Sequence, residues 1–362
     1  TAFFKTARGE TGILQVFDIV KDERGFKGHA VKLRYKLVQG AMGAKAPQSN
    51  ATTSPEKVRT VQANFKVGTM AASPDGKLVA VGNDQPTMIM VANGRSKVAD
   101  NWQPRVEILD AVTGKVLATP VLMSKEDEAM LAEFERAPLY QVTALAFSPN
   151  GSLLAVGNTA GQVKLFDAHT GALVRSLDDV EGKKADPWTP EKYRSFTRAI
   201  GSVTALAFSP DGSSLAVCGG AIADVRLFEK SSGISDLSHS PTGPGRLKLW
   251  DVKTGALKRS FSGHADDVRA VAFSLDGKQL ASAGNWLDLD EKGHIEEVGW
   301  GVKIWDAESG KLISKIPDQS NAGQRSIAFS PDGKKIAIAS QRFSDKEDFR
   351  DQSSGAVTLV QI

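Results

Sequence analysis

Residues 206–212 read "LAFSPDG", and close copies stand at four other places: "AASPDG" (71–76), "LAFSPNG" (145–151), "VAFSLDG" (271–277) and "IAFSPDG" (327–333). The turn serines, Ser73, Ser148, Ser209, Ser274 and Ser330, are spaced by 75, 61, 65 and 56 residues. Self-similarity at such a period is the signature of a repeat architecture, and it overrides the two or three ordinary domains that 362 residues alone would suggest.

Around each turn the order is constant. An alternating run such as "VTALAFS" precedes it, a short apolar run such as "SLLAVGN" follows, then "VKLFDAHTG" and "ALVRSL". Runs of four to eight residues, β-branched and bounded by turn residues, predict four antiparallel strands per unit, called a to d below. In "SPDG" the proline fixes φ at the second position and the glycine accepts positive φ, which predicts a tight a–b hairpin. The Asp and Gly of "DAHTG", "DVKTG" and "DAESG" serve the c–d turn in the same way. A single four-stranded sheet cannot bury its own faces. Several packed face to face around an axis can, and the expected fold is an all-β propeller.

The strand-c segments "GQVKLFDAHTG" (161–171), "GRLKLWDVKTG" (245–255) and "GVKIWDAESG" (301–310), with the pair Gly263-His264, resemble the WD40-repeat family over nearly the whole chain. The "FSPDGK" style is similar to bacterial WD40 arrays, which often stand beside effector domains as sensors. The match is not uniform: only Trp250 and Trp305 keep the tryptophan of the dipeptide, Phe17 and Phe166 replace it, and Leu109 stands in "PRVEILD". In the family a buried His, Ser and Trp network braces a blade. The resemblance assigns that structural role to His264, Ser282 and Trp305, with Trp250 as the counterpart one unit earlier, while the family's b–c aspartate has no clear match.

Six units are expected in one propeller domain, at about 1–40, 66–123, 142–177, 203–262, 268–318 and 324–362. The first begins mid-blade, with "TAFFKTA" as strand b, "GILQVFD" as c and "HAVKLRYKL" as d; the last ends at strand c with "GAVTLVQI". Either the ring closes imperfectly with six blades or a parent chain carries a seventh upstream. The absence of an initiating Met favours the expectation of a seven-bladed parent from which this chain is a fragment, with flanking domains.

The units exceed the roughly 40–45 residues of an ordinary repeat of this type. The surplus enters at the b–c connections (84–103, 221–244, 286–300 and 342–354) and the d–a connections (38–65, 124–140 and 178–202), never at the a–b or c–d turns. In an up-and-down blade those two connections share one side. One side is therefore plain scaffold, and the other is the side on which loops free to vary would carry binding. Helix signals occur in two insertions: Ser124 as cap with Pro138 as terminator, and Thr189 followed by Pro190 with Gly201 past the end.

Aromatic residues concentrate in the insertions, and Trp102, Trp188, Tyr193, Trp286, Trp300, Phe343 and Phe349, together with Arg342, are the candidate anchors for a protein or peptide partner. A rival reading is a small-ligand or enzymatic pocket at the mouth of the central channel, lined at the ends of strand b by Asn83, Asn158, Asn285 and Gln341; asparagine there also suits a turn. In "DLDEKGHIEE" (288–297) Asp288, Asp290, Gly293 and Ile295 match positions of a calcium loop. Lys292 takes a ligand position and Gly299 stands where a bidentate Glu belongs, so a solvated hairpin tip is expected, with a cation site as the alternative.

Composition narrows the remaining classes. The net charge of +3, from 45 basic and 42 acidic residues, is too balanced for a general attraction to nucleic acid. The basic-aromatic stretch 183–198 is diluted by Asp186 and Glu191, so nucleic acid is not the expected partner. Hydrophobic content of 41% and charged content of 24% suit a soluble folded chain, with no apolar run of membrane-spanning length and no targeting segment. The compartment is not specified. With Cys218 as the sole cysteine there is no intrachain disulfide and no thiolate metal cluster. The five histidines fall in separate units without HExxH spacing, and GxSxG and P-loop patterns are absent. No cofactor is expected, and the chain reads as a non-catalytic scaffold or sensor that binds protein or peptide through its elaborated side.

Overall fold

The structure is a computed structural model that describes residues 65–83, 103–123, 141–159, 161–177, 202–220, 246–261, 263–264, 268–289, 295–317, 323–341 and 355–362. Only the backbone is described at 246, 287–289, 295–298, 341 and 355–356 and in the strands at 2–5, 11–21, 29–38, 59–63, 88–91 and 95–98.

The chain is an all-β propeller fold of antiparallel sheets, numbered I to VI here. Sheet I joins Ala2–Lys5, Thr11–Lys21, His29–Val38 and Arg59–Ala63. Sheet II has Val67–Ala72, Leu78–Asn83, Val106–Asp110 and Val116–Ala118 as strands a to d; sheet III has Val142–Phe147, Leu153–Asn158, Val163–Asp167 and Leu173–Leu177. Sheet IV has Val203–Phe208, Ser214–Gly219, Arg246–Asp251 and Leu257–Phe261, and sheet V has Val268–Phe273, Gln279–Leu289, Ile295–Asp306 and Leu312–Pro317. Sheet VI has three strands, Gly323–Phe329, Lys335–Gln341 and Gly355–Gln361. The chain divides into two compact units, 1–156 with 165–174, and 157–164 with 175–362.

Three elements depart from the sequence reading: in sheet V most of the segment 286–300, read as a b–c insertion, continues strands b and c as a paired ladder. The fourth strand of sheet I, Arg59–Ala63, lies within the segment read as a d–a insertion and pairs with His29–Leu33. The b–c insertion of sheet II folds back as its own hairpin, Met88–Val91 against Arg95–Val98. The helix signals at 124–138 and 189–201 lie outside the described residues.

The a–b turns share one hydrogen-bond pattern. Ser73 Oγ donates to Asp75 Oδ1 at 2.6 Å and accepts from Leu78 N at 2.9 Å, while Gly76 N donates to Ser73 O at 2.9 Å. The same bonds recur at Ser148/Asn150, Ser209/Asp211, Ser274/Asp276 and Ser330/Asp332. Glycine is required because φ is close to +70° at each fourth position, for example +70° at Gly76. The c–d turns are built differently: Asp167 Oδ1 accepts from the His169 and Thr170 amides and the Thr170 hydroxyl, and Gly171 N returns to Asp167 O. These donors, led by the Thr170 amide, hold the Asp167 carboxyl below the usual carboxylate range.

Strand b runs through the interior with both faces covered, which is why "LVAVGN" is buried at all six positions and reads as a continuous apolar run rather than an alternation. Within the first unit, sheets II and III share a core that includes Ile108, Val142, Leu154 and Phe166. In the second, sheet IV packs on V through Leu249, Phe261, Leu280 and Trp305, and V on VI through Ile304, Ile327 and Ile336.

Sheet-to-sheet approach also explains the glycine of "VGN". A Cβ on Gly157 would collide with Val203 Cγ1, because Val203, the first residue of strand a in sheet IV, packs directly on the Gly157 backbone. Gly157→Ala is expected to destabilise the chain by about 1–3 kcal/mol through overpacking. Urea unfolding checks this; the double variant Gly157→Ala/Val203→Ala recovers part of the loss if the contact is the cause.

Arginines in strand d reach forward to the next sheet. Arg175 of sheet III donates to the carbonyls of Lys253 and Thr254 in the c–d turn of sheet IV, at 2.8 and 2.9 Å. Arg259 of sheet IV lies against Gly310 of sheet V, where a Cβ would meet its Cδ at 2.5 Å.

Candidate functional site

The described connections divide by length. All five a–b turns are closed by the short Ser-to-Gly hydrogen bond, and the c–d turns of sheets II to V by an Asp-to-Gly bond. The segments 84–105, 178–202, 220–245 and 342–354 all join strand b to c or strand d to the next a. Long connections therefore leave from the ends of strands b and d, and short turns occupy the other ends.

Of the candidate anchors, Trp300 is 36% exposed, with the Arg269 guanidinium 5.7 Å from its ring centroid. Trp286 is a correction: it is fully buried and presents nothing to a partner. Strand b of sheet V runs past its usual end, so Trp286 falls on the same face as Ser282 and opposite Gly299 in register. Only a glycine fits there, since a Cβ on Gly299 would sit 2.6 Å from the indole. Lys303 and Lys315 place their ammonium groups 5.5 and 5.9 Å from the Trp286 ring centroid. Trp102, Trp188, Tyr193, Arg342, Phe343 and Phe349 lie outside the described residues.

The asparagines at the ends of strand b are spent locally. Asn83 is buried, donating through Nδ2 to Gln103 O at 2.7 Å and accepting from Arg105 N at 2.9 Å. Asn158 donates to Gln162 Oε1 at 2.9 Å and accepts from Gln162 N at 3.0 Å. Both clamp the start of strand c and do not offer a ring of polar contacts. The buried Asn285 Oδ1 has no hydrogen-bond partner among the described residues, and the side chain of Gln341 lies outside them.

The calcium-loop alternative is also corrected. Asp288 pairs with Glu297 and Leu289 with Ile295, so positions one and eight to twelve of the supposed loop lie in two antiparallel strands instead of winding around an ion. Asp290 lies outside the described residues. Among the described residues no cluster of three potential metal ligands occurs.

His264, Ser282 and Trp305 form one hydrogen-bonded chain. His264 Nδ1 lies 3.1 Å from the Asn285 carbonyl, which can only accept, so the ring proton sits on Nδ1. Nε2 then accepts from Ser282 Oγ at 2.7 Å, and Ser282 Oγ accepts from Trp305 Nε1 at 2.8 Å. Burial pushes the His264 pKa down to about 4, the Asn285 carbonyl opposes that, and the Lys303 charge adds to it. A neutral imidazole bonded to a carbonyl needs no aspartate, which accounts for a network without the family's acid. Trp250 is buried in the equivalent strand of sheet IV, opposite Leu215.

Sequence reasoning missed Glu107, which is completely buried, with Oε1 2.7 Å from Arg105 Nη2 in an oblique, ionic contact; the Arg105 guanidinium in turn covers the Phe65 ring at 5.5 Å. The signal was available: sheets III, IV and V carry Lys164, Lys248 and Lys303 at the position where "RVEILD" has Glu. Cys218 is fully buried in an apolar setting that pushes its thiol pKa far up, leaving it unreactive. No helix among the described residues is long and apolar enough to cross a membrane.

Comparison with known proteins places these features. The family model described as "Anaphase-promoting complex subunit 4 WD40 domain" matches residues 121–184, and that described as "WD domain, G-beta repeat" matches 191–221 and 255–288. WD repeat-containing protein SL1-17 of Schistosoma mansoni is 29% identical over 192 residues, covering 48% of this chain and 52% of that protein. WD repeat-containing protein VIP3 of Arabidopsis thaliana is 27% identical over 235 residues, covering 64% and 60%. The chain thus spans little more than half the length of these two relatives. Among solved structures, Kuenenia stuttgartiensis hydrazine synthase superposes with a TM-score of 0.51 at 18% identity, covering 81% of this chain and 62% of that one, a likeness of fold alone.

Proposed function

The chain belongs to the WD40-repeat family, whose propellers serve in general as protein-interaction scaffolds, and from that premise we propose that it is a non-catalytic module binding a protein or peptide through the strand ends that carry its long connections. The observation that supports this reading most is the division of connections: insertions enter at b–c and d–a while the short turns repeat almost unchanged. A rigid frame with one variable side is the arrangement in which loops acquire binding without disturbing the core. Trp300, exposed beside Arg269, is the described anchor of such a surface, and Trp102, Trp188, Tyr193, Arg342, Phe343 and Phe349 are proposed to extend it.

The test replaces 221–244 and 342–354 by short turns, leaving the hairpin that buries Trp286 intact. A partner captured from the source cells by the unaltered chain is then purified and titrated against both versions. The expected result is loss of at least tenfold in affinity with an unchanged thermal midpoint. Equal affinity for the two versions would overturn this assignment of the binding side.

A further inference from the structure

Sheets IV and V leave a groove of about 800 Å³ between them on the side of the short turns, opposite the long connections. That volume is in the range of ligand-binding clefts. Its floor is apolar, formed by Leu249, Phe273 and Ala307. One wall is the a–b turn of sheet IV with Asp211; the other is formed by Leu275 and Asp276 of the a–b turn and Glu308 of the c–d turn of sheet V.

Leu275 is the unusual residue. The equivalent turn position is proline at 74, 149, 210 and 331. Pro210 packs on the following turn, within 3.5 Å of a Cβ placed on Gly277, whereas a Cβ on Gly333, in the turn after Leu275, would meet nothing within 4 Å. Leu275 is instead 52% exposed at the groove wall. An exposed leucine where proline serves the turn better places apolar surface in water, where a ligand can cover it.

The charges of the groove do not cancel. Three carboxylates line it, Asp211, Asp276 and Glu308, against two cations, Lys258 and Arg259, which also interact with Asp251 and Asp306 outside it. Asp211 and Glu308 stand on opposite walls, one from each sheet. Hydrogen bonds from Ser209 and Ser213 lower the Asp211 pKa and keep it charged at neutral pH.

We propose that this groove binds an extended peptide segment in which an aliphatic side chain packs on Leu275 and a flanking lysine or arginine meets Asp211 and Glu308. The site is independent of the long connections, so it stands or falls separately from the binding side proposed above.

Ligand-observed NMR titration of the full chain with acetyl-Lys-Leu-Lys-amide tests it, with acetyl-Glu-Leu-Glu-amide and acetyl-Lys-Gly-Lys-amide as controls. The expected result is saturable binding of the first peptide at millimolar concentration, at least tenfold weaker binding of the other two, and weakening by added salt. Leu275→Pro restores the common turn residue and keeps the fold, yet is expected to weaken binding about tenfold; Leu275→Ser serves the same purpose if the proline variant folds poorly. Glu308→Lys, at an exposed position, is expected to weaken it more. Failure of Lys-Leu-Lys to saturate, equal binding of Glu-Leu-Glu, or wild-type affinity in the Leu275 variants would overturn the proposal.

Discussion

Replacing Trp305 with alanine is expected to lower the unfolding free energy by about 3–5 kcal/mol, the range for deleting a buried aromatic from a core that cannot collapse around the loss. Trp305 is buried at the junction of sheets IV and V, with its ring centroid 5.6 Å from that of Phe261 in an edge-to-face arrangement. The substitution removes that contact and also the Nε1 donor to Ser282 Oγ, so the chain that holds His264 loses one end. Trp305→Phe separates the two contributions. It keeps an aromatic ring of the kind that Phe166 supplies in sheet III, and is expected to cost only about 1–2 kcal/mol, for the lost donor and the residual gap. Urea titration with an unchanged slope is the measurement. A loss below 1 kcal/mol for the alanine variant would show that the two sheets do not depend on this junction.

The second large effect is a dependence on acid. The native pKa of His264 is depressed to about 4 from an ordinary 6.5, so between those values the unfolded chain takes up a proton that the folded chain refuses. Stability from this residue is complete above pH 6.5 and is lost as the pH falls to about 4, an effect on the order of 3 kcal/mol. The turn aspartates act in a different window. Asp211, Asp276 and Asp332 have pKa values lowered first by hydrogen bonds from Ser209, Ser274 and Ser330, and their contribution is lost only below the ordinary value of 3.8. A plot of unfolding free energy against pH is expected to fall from 6.5 to 4 in the native chain and to be nearly flat over that interval in His264→Gln. Parallel curves for the two would mean that the imidazole is charged in the folded state.

The repeated turns were legible in the sequence because their geometry is local: a serine, an aspartate and a glycine within four residues settle the hydrogen bonds and the sign of φ without help from elsewhere. Strand order followed from them. The fate of Trp286 was not legible in the same way, because burial depends on how far strand b continues and on what stands across from it. Gly299 was the available hint, read instead as the wrong residue for a calcium ligand. Asn83 and Asn158 illustrate the same limit. An asparagine at a strand end reads equally as a ligand contact or a clamp, and only the position of Arg105 N or Gln162 N across the connection decides. Arg59–Ala63 escaped detection because the segment before it carries the small and polar residues of a loop, and its pairing partner lies some 30 residues back. Leu275 is the opposite case, a visible departure from a repeated turn whose meaning required the groove beside it.

The forward reach of Arg175 ties the geometry of one turn to the seam beside it. Its guanidinium holds the carbonyls of Lys253 and Thr254, and Arg259 lies against Gly310 in the same way one sheet later. Each of these c–d turns is thus a socket for the sheet before it and cannot be redrawn alone: a change that moves the Lys253–Thr254 backbone or fills Gly310 loosens a seam as well as a hairpin.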